Sequence, residues 1–442
     1  MKEFNLPEGW KFVSLYDLVD VIGGVSYAPD DITSSGIRVI RGGNIQGNLV
    51  ELRDDDVFLP DTYKNCDNSL RKGDIVLVAS TGSVEALGRT ATVWENMNNV
   101  QIGAFLRILR PKQPKYAALI SAWLSCEHYF RYIRLVAKGT SINNISLSHI
   151  KGFKIPIPSD EKAASFTILY NAVAKKININ RAINRNLEAL AKQLYDYWFV
   201  QFDFPDEQGK PYKSSGGKMV WSEELKCLIP STFTIENLIS LDIYNSDYTA
   251  NGSFAGLAEN VVYNEGEKYA LLLRVVDFNN NFSNQDKFVY INKHGYDYLK
   301  SCHLEGDEII ICNVGNAGAT FRCPPLDMKM ALGPNGIVVN NAKWNNYLYM
   351  YYISALGQHL IKGISSGSIQ LKFNKTSFRN LPIYTPPTNV LELFDAKYSL
   401  INEQRKNLWL ENRELKKQRD ELLQLLMNGQ VSLNSDLSAY LI

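Results

Sequence analysis

The chain states one pattern twice, and that duplication limits its architecture more than any other feature. Leu6-Pro7-Glu8-Gly9-Trp10 opens a run followed by Leu15 and Leu18, and Ile229-Pro230-Ser231-Thr232-Phe233 opens a second run followed by Leu238 and Leu241 at the same steps. Arg41-Gly42-Gly43-Asn44 answers to Arg274-Val275-Val276-Asp277, and Lys72-Gly73-Asp74-Ile75-Val76 to Glu305-Gly306-Asp307-Glu308-Ile309. Gly82 then answers to Gly315 at the same shift of 233 residues. Each copy closes on a Gly-Ser/Thr turn, an Ile/Leu-Pro pair and a long helical stretch. A repeated domain-plus-helix unit predicts two similar binding surfaces related by a pseudo-two-fold, which suits a two-part target.

At 442 residues the chain exceeds one hydrophobic core, and roughly two to four domains are expected. Lys+Arg 47 against Asp+Glu 46 leaves a net charge of +1, so any nucleic-acid surface must concentrate its cations on one face. Met1-Lys2-Glu3-Phe4 carries no hydrophobic signal core, and no apolar run approaches the ~20 residues of a membrane span. The six cysteines (Cys66, Cys126, Cys227, Cys302, Cys312, Cys323) include no CxxC pair. The loose group Cys302, His303, Cys312 and Cys323 fits no common zinc spacing. A reducing, cytoplasmic setting without membrane attachment is expected.

Residues 1–158 read as a mixed α/β domain, with strands at Ile37-Arg38-Val39-Ile40, Asp74-Ile75-Val76-Leu77-Val78 and Phe105-Leu106-Arg107-Ile108-Leu109, and one aromatic-rich helix over Tyr116 to Leu135. A central spacer helix follows at 159–202. Its seam is expected at Phe166, Leu169, Val173, Ile183, Leu187, Leu190, Leu194 and Tyr197, with Lys176 and Asn180 as polar intrusions. Residues 203–224 read as a polar linker, 225–387 as the second α/β domain, 388–429 as a C-terminal spacer helix and 430–442 as a tail. In that second helix Phe394, Ile401, Leu408, Leu415 and Leu422 recur every seven residues, with Tyr398, Arg405, Asn412, Arg419 and Leu426 between them. The expected fold class is α+β: two similar α/β domains separated by two long helices that pair as an antiparallel coiled coil. Such pairing brings Asn180 and Asn412 together to fix helix register, against the alternative of two unrelated solvated asparagines. About 30 helical residues make a rod of ~45 Å, comparable to the ~34–36 Å between half-sites one DNA turn apart.

Catalytic patterns are missing from the sequence. There is no Walker A loop, and Gly315-Asn316-Ala317-Gly318 leads into Ala319-Thr320-Phe321-Arg322, which opens no evident helix for a dinucleotide or methyl donor. Pro324-Pro325 and Pro386-Pro387 lack the flanks of the base-holding motif of adenine methyltransferases. Asp54-Asp55-Asp56 reads as a solvated turn.

Several stretches together resemble the specificity subunits of type I restriction–modification enzymes. These are Leu6-Pro7-Glu8-Gly9-Trp10; Gly139-Thr140-Ser141-Ile142-Asn143 followed by Ile155-Pro156-Ile157-Pro158; Leu194-Tyr195-Asp196-Tyr197-Trp198-Phe199 followed by Phe202-Asp203-Phe204; and Leu425-Leu426-Met427-Asn428-Gly429-Gln430-Val431. The likeness covers essentially the whole length. It departs where Asp160-Glu161-Lys162 and Thr388-Asn389-Val390 replace the family's Glu-Gln helix entry, and where the second domain opens with Ile229-Pro230-Ser231. The resemblance implies a non-catalytic subunit whose two target recognition domains each read half of a bipartite, asymmetric site in double-stranded DNA. It also implies that the helices dock two methyltransferase subunits carrying S-adenosylmethionine, joined for cleavage by motor-nuclease subunits that use ATP and Mg²⁺, with no cofactor on this chain.

Loops present donors to base edges while strands hold them in place. The candidate DNA contacts in the first domain are therefore Arg38, Arg41, Asn44, Ser80, Thr81, Ser83, Arg89, Lys138, Thr140, Ser141 and Asn143. In the second they are Arg274, Asn279, Asn313, Asn316, Arg322, Lys362, Ser365, Ser366, Ser368, Gln370 and Lys372. A turn or salt-bridge role stands beside each. Two other readings remain open: a structural coiled-coil adaptor without DNA affinity, and the recognition part of a stand-alone DNA methyltransferase.

Overall fold

Four consecutive apolar residues, Ile75–Val78, are buried along their whole length, as a strand must be when both its faces are covered. Side chains alternate along a strand. Ile75 and Leu77 therefore join a core shared with helices, while Val76 and Val78 join a core shared with a second sheet. Each such side chain, once withdrawn from water, contributes roughly 1.5–3 kcal/mol. The second copy repeats the arrangement, with Ile309 and Ile311 on the helix side and Ile310 on the sheet side.

This computed structural model describes residues 9–427 except 47, 66, 84, 138–142, 264–267, 281, 283–287 and 368–369. Leu6-Pro7-Glu8, the 430–442 tail and the side chains of Leu422 and Leu426 lie outside the described residues. The chain divides into two compact units, one running to Asn180 and resuming at Glu411, the other being Arg181–Leu410.

In the first unit, one antiparallel sheet has the order Thr90–Thr92, Ile75–Val78, Leu106–Pro111, Val19–Gly23. The other runs Val57–Leu59, Ile37–Ile40, Met97–Ile102, Ser69–Leu70, and its middle pair is parallel. The second unit has the same two sheets in the same order. Thr320–Arg322, Ile309–Cys312, Gly336–Asn340 and Tyr244–Asp247 form the antiparallel one. Val289–Ile291, Ala270–Leu273, Met330–Leu332 and His303–Leu304 form the other, again with a parallel middle pair. In each unit a short antiparallel pair ties the opening strand to the closing one, Lys11–Ser14 with Lys154–Ile157 and Thr234–Glu236 with Ile383–Thr385. The fold is α+β and internally repeated.

The structural register of the repeat differs by one residue from the sequence match. Ile75 pairs with Thr92 as Ile309 pairs with Arg322, which sets Gly73 opposite Asp307 and Asp74 opposite Glu308. Gly73 (φ +92°) and Asp307 (φ +88°) share the left-handed corner. The neighbouring Gly306, also at positive φ (+103°), drew the alignment one position off. An aspartate is strained there, and its side chain shows what holds it. Its carboxylate meets Arg322 Nη1 at 3.4 Å and Lys406 Nζ at 3.0 Å, and accepts from Asn402 Nδ2 at 3.1 Å. The corner is thereby clamped to the C-terminal helix.

The expected helix over Tyr116 to Leu135 is two helices, Ala117–Trp123 and Glu127–Val136, separated by a turn at Ser125-Cys126. The central helix is Asp160–Tyr195, extended by a wider π turn over Asp196–Val200. Its buried line runs Phe166, Tyr170, Ala174 and Ile177 to Asn180 in the first unit, and resumes at Ala191, Tyr195, Trp198 and Phe199 in the second. Ile183, Leu190 and Tyr197, expected in the seam, are instead 41%, 50% and 41% exposed. Alanine and asparagine take their place inward. The C-terminal helix, Thr388–Met427, follows its expected heptads: Phe394, Tyr398 and Ile401 are buried, and Arg405, Leu408, Asn412, Leu415 and Arg419 are partly buried.

Within the second unit the two helices run antiparallel. Glu188 pairs with Arg405 at 2.7 Å, while Tyr195, further along, faces Phe394. Within the first unit Asn180, fully buried, donates to Glu411 Oε2 at 2.7 Å and Asn412 Oδ1 at 3.2 Å, beside a Lys176–Glu411 ion pair at 3.2 Å. Residues 203–224 are a folded part of the second unit and not a loose linker. Phe204 is buried and stacks on Tyr212 at 4.8 Å, and Met219–Ser222 pairs with Cys227–Pro230. No helix among the described residues is long and apolar enough to cross a membrane.

Two outcomes follow from these contacts. Asp307→Gly relieves backbone strain of ~1 kcal/mol but strips Arg322 and Lys406 of their acceptor, so denaturant titration of the full chain should record a net loss of ~1–3 kcal/mol; a gain would dismiss the clamp. The double variant Asn180→Leu, Asn412→Leu should shift the helix register, read in a crystal structure as loss of the Lys176–Glu411 pair. Retention of that pair would leave the asparagines no part in setting register.

Candidate nucleic-acid interface

Parallel strands end on the same side, so Ile37–Ile40 and Met97–Ile102 deliver Arg41 and Gly103 to one edge of the first unit. Gly103 N–H donates to the Ile40 carbonyl at 2.9 Å. The Phe105 carbonyl accepts from both Ala79 and Ser80 N–H at 3.0 Å, and Ile145 N–H donates to the Ala79 carbonyl at 2.7 Å. Asn143–Asn144 pairs with Ser80–Thr81 as a two-residue ribbon. The turn carrying Ser83 and Arg89 joins the same edge, since Gly88 N–H and the Arg89 carbonyl both bond to Val78. Arg41, Ser80, Thr81, Ser83, Arg89 and Asn143 are thus gathered chiefly by backbone hydrogen bonds, with Thr81 Oγ1 also accepting from Ser83 N–H at 3.1 Å.

The second unit builds the equivalent edge from Arg274, Gly333, Asn335 and Asn313. Gly333 N–H donates to the Leu273 carbonyl at 2.8 Å, and Asn313 and Phe373 are linked as Ala79 and Ile145 are. Val314–Gly315 pairs with Leu371–Lys372. Ser366 and Lys372 exchange two backbone hydrogen bonds at 2.9 Å, which places Ser366, Gln370, Lys372 and Gly315 side by side. Asn316, Asn279, Lys362, Gln370 and Lys372 are exposed. Ser365 spends its hydroxyl on the Ile361 carbonyl at 2.8 Å. Lys138, Thr140, Ser141 and Ser368 fall outside the described residues.

Three of the expected contacts turn inward. Asn44 is buried, accepts from Arg41 N–H at 2.8 Å and donates to the Glu51 carbonyl and the Asp56 carboxylate, so its amide is consumed by the turn. Arg38 lies 3.7 Å from Asp56 and covers the Phe58 ring at 5.0 Å. Arg322, with a side chain only 11% exposed, donates twice to Asn346 Oδ1 (2.8 and 2.7 Å) as well as meeting Asp307. An arginine at the end of a strand reads as exposed in sequence, whereas the facing Asn346 and Asp307 are distant in the chain. Arg274 stays at the edge but is held bidentate by Asp277 at 3.0 and 3.1 Å, which raises the pKa of its guanidinium. Arg41 differs: it is exposed and its Nη2 donates to the Asp55 carbonyl at 3.2 Å.

The structure adds two edge residues that the sequence reading missed. Phe105 is 65% exposed, and Asn335 occupies the same position in the second unit with φ +71°. Gly103 and Gly333, two residues before each, were the available signal. Among the cysteines, burial pushes the Cys302 thiol up to about 11, and His303 stacks on Tyr296 with ring centroids 3.8 Å apart. Both are packing elements.

Residues 7–189 match a family model described as the type I restriction modification DNA specificity domain. The chain is 21% identical to the type I restriction enzyme HindI specificity subunit of Haemophilus influenzae, an alignment spanning 94% of this chain and 99% of that one. It is 28% identical to the type I restriction enzyme EcoKI specificity subunit of Escherichia coli over 162 residues, 36% of this chain and 34% of that one. A crystal structure of the type I restriction-modification system S subunit from M. genitalium aligns over 96% of both chains at 16% identity with a TM-score of 0.49.

An exposed phenylalanine at such an edge contributes little to folding. Phe105→Ser should leave stability within about 0.5 kcal/mol of wild type while weakening duplex binding severalfold in an anisotropy titration. Unchanged affinity would remove this edge from the interface.

Proposed function

We propose that this chain, a member of the type I restriction–modification specificity-subunit family, reads a bipartite double-stranded DNA target with one repeated domain on each half. It supplies the address and not the chemistry. The observation that carries the reading is the repeated frame itself: two units with one strand order and one edge, bearing different side chains at matching positions. Phe105 stands against Asn335, and the Asn143-Asn144 ribbon against Leu371-Lys372. A common frame with divergent edge chemistry is what two unlike half-sites require.

Partner docking fits the helices. In the second unit Ile183, Leu190 and Tyr197 recur at seven-residue steps on the exposed side of the central helix, and in the first unit Ile168 and Ile179 are 42% and 45% exposed. Apolar stripes left on a helix surface suit a protein partner, here two methyltransferase subunits bringing S-adenosylmethionine, with motor-nuclease subunits using ATP and Mg²⁺ added for cleavage. Such an assembly works on DNA in the cytoplasm.

The test begins with mapping methylated adenines in the source genome to obtain the duplex. The chain, alone and with methyltransferase subunits, should bind it with strong salt dependence. Base changes confined to either half should each cost ~1–3 kcal/mol per position. The chain alone with labelled methyl donor should transfer nothing. Equal affinity for all duplexes, or none, would favour the coiled-coil adaptor, and methyl transfer without partners would favour a stand-alone enzyme.

A further inference from the structure

The turn after Ile37–Ile40 differs between the two units in a way that changes what it can hold. In the first, Arg41, Gly43, Asn44, Arg53, Asp55 and Asp56 line a recess of about 230 Å³. Two guanidinium groups belong to it, and its carboxylates are already engaged or lie at its rim. Asp56 is buried and saturated: it accepts from Asn44 Nδ2 at 2.5 Å and Arg53 N–H at 2.8 Å, and lies 3.7 Å from Arg38. Asp55 is exposed, and its carbonyl takes Nη2 of Arg41. No carboxylate stands within ion-pair distance of Arg53 among the described residues. Gly43 lies against Arg53, since a Cβ there would stand in contact with Arg53 Nη1 at 3.4 Å.

The second unit carries other side chains at the same turn. Val275-Val276 replaces the glycine pair, Val276 is 47% exposed, and Asp277 accepts from Nε and Nη2 of Arg274. The two domains therefore differ in the side chains that stand at this turn.

We propose that this recess is an anion subsite that holds one phosphate of the DNA backbone, an inference resting on the DNA-reading assignment above. Two planar guanidinium forks beside a glycine backbone match the oxygens of a tetrahedral anion, whereas a guanine edge offers acceptors for a single fork. Asp55 at the rim opposes the anion and holds the subsite to one phosphate. The contact is sequence-independent: it sets where the first domain sits on its half-site and leaves base choice to the neighbouring ribbon.

The test uses the full chain, with duplexes carrying the target or a scrambled first half-site, titrated by anisotropy over a salt series. Arg53→Gln should lower affinity for both duplexes by the same factor, three- to tenfold, leave their ratio unchanged, and reduce the slope of log K against log salt by about 0.9, the value of one phosphate contact. Gly43→Val, which imports the second domain's side chain, should do the same, while Arg274→Gln should leave the slope in place. A changed target-to-scrambled ratio in Arg53→Gln makes the group a base reader and overturns the proposal. An unmoved slope beside normal wild-type binding overturns the subsite alone, and absence of salt-dependent wild-type binding sinks the DNA reading with it. Saturable binding of inorganic phosphate that Arg53→Gln abolishes, with duplex binding untouched, would assign the recess to a free anion instead.

Discussion

The tail of the central helix is packed into the core of the second unit, and the position of every neighbouring element there answers to that packing. Phe199 meets Phe394 and Tyr347 edge-on, each with ring centroids 4.9 Å apart, an arrangement that aromatic quadrupoles favour. The Tyr384 hydroxyl donates to the Phe199 carbonyl at 2.9 Å and contacts the Tyr195 hydroxyl at 3.1 Å. Burial raises the Tyr384 and Tyr195 pKa values well above the usual phenol range, so these groups stay neutral donors. The π turn at Asp196–Val200 lets Trp198 and Phe199 both face inward, a common use of one wide turn inside a helix. Helix, closing strand and C-terminal helix share this core, so none of the three moves without the others.

The two units show how far side chains diverge once a frame is set. Where Thr92 and Ser121 share a single buried hydroxyl contact at 2.7 Å, Arg322 reaches Asn346, which itself donates to Asp395 and Ser399 on the C-terminal helix. The first unit instead anchors its helix entry through Phe166 and Tyr170, stacked at 5.6 Å, and through Thr167, whose hydroxyl donates to the Lys115 carbonyl at 2.6 Å. The first attachment adds an exposed Lys115–Asp160 ion pair at 2.6 Å to its aromatic stack, whereas the second is a part-buried polar network. Several backbone hydrogen bonds recur at the two edges, Ala79 to Phe105 as Asn313 to Asn335 and Gly103 to Ile40 as Gly333 to Leu273, so edge side chains can vary without loss of fold.

Legibility in the sequence followed residue size. The C-terminal helix is readable because its seven-residue repeat, Phe394, Ile401, Leu408 and Leu415, coincides with its buried side, although Leu393 and Leu400 face outward. The central helix was not, because Ala174, Asn180 and Ala191 turn inward while Ile183 and Leu190 turn outward, and hydrophobicity alone favours the larger set. The duplication and the strand-ending turns were visible as matched glycines, yet the corner shared by Gly73 and Asp307 was offset, since a positive φ is no longer marked by glycine once an aspartate is held there. Arg38, Asn44 and Arg322 are polar residues near turns. What decides their roles is partners such as Asp56 and Asn346, which sequence proximity does not reveal.

That aspartate corner also constrains the order in which the copies could have drifted apart. A carboxylate arriving at the glycine corner first would meet strained backbone and no cation. Lys406 and Asn402, arriving first, would sit on a helix flank at little cost. Divergence at this spot therefore has a preferred sequence of substitutions, helix before corner, and reversing it passes through a less stable ancestor.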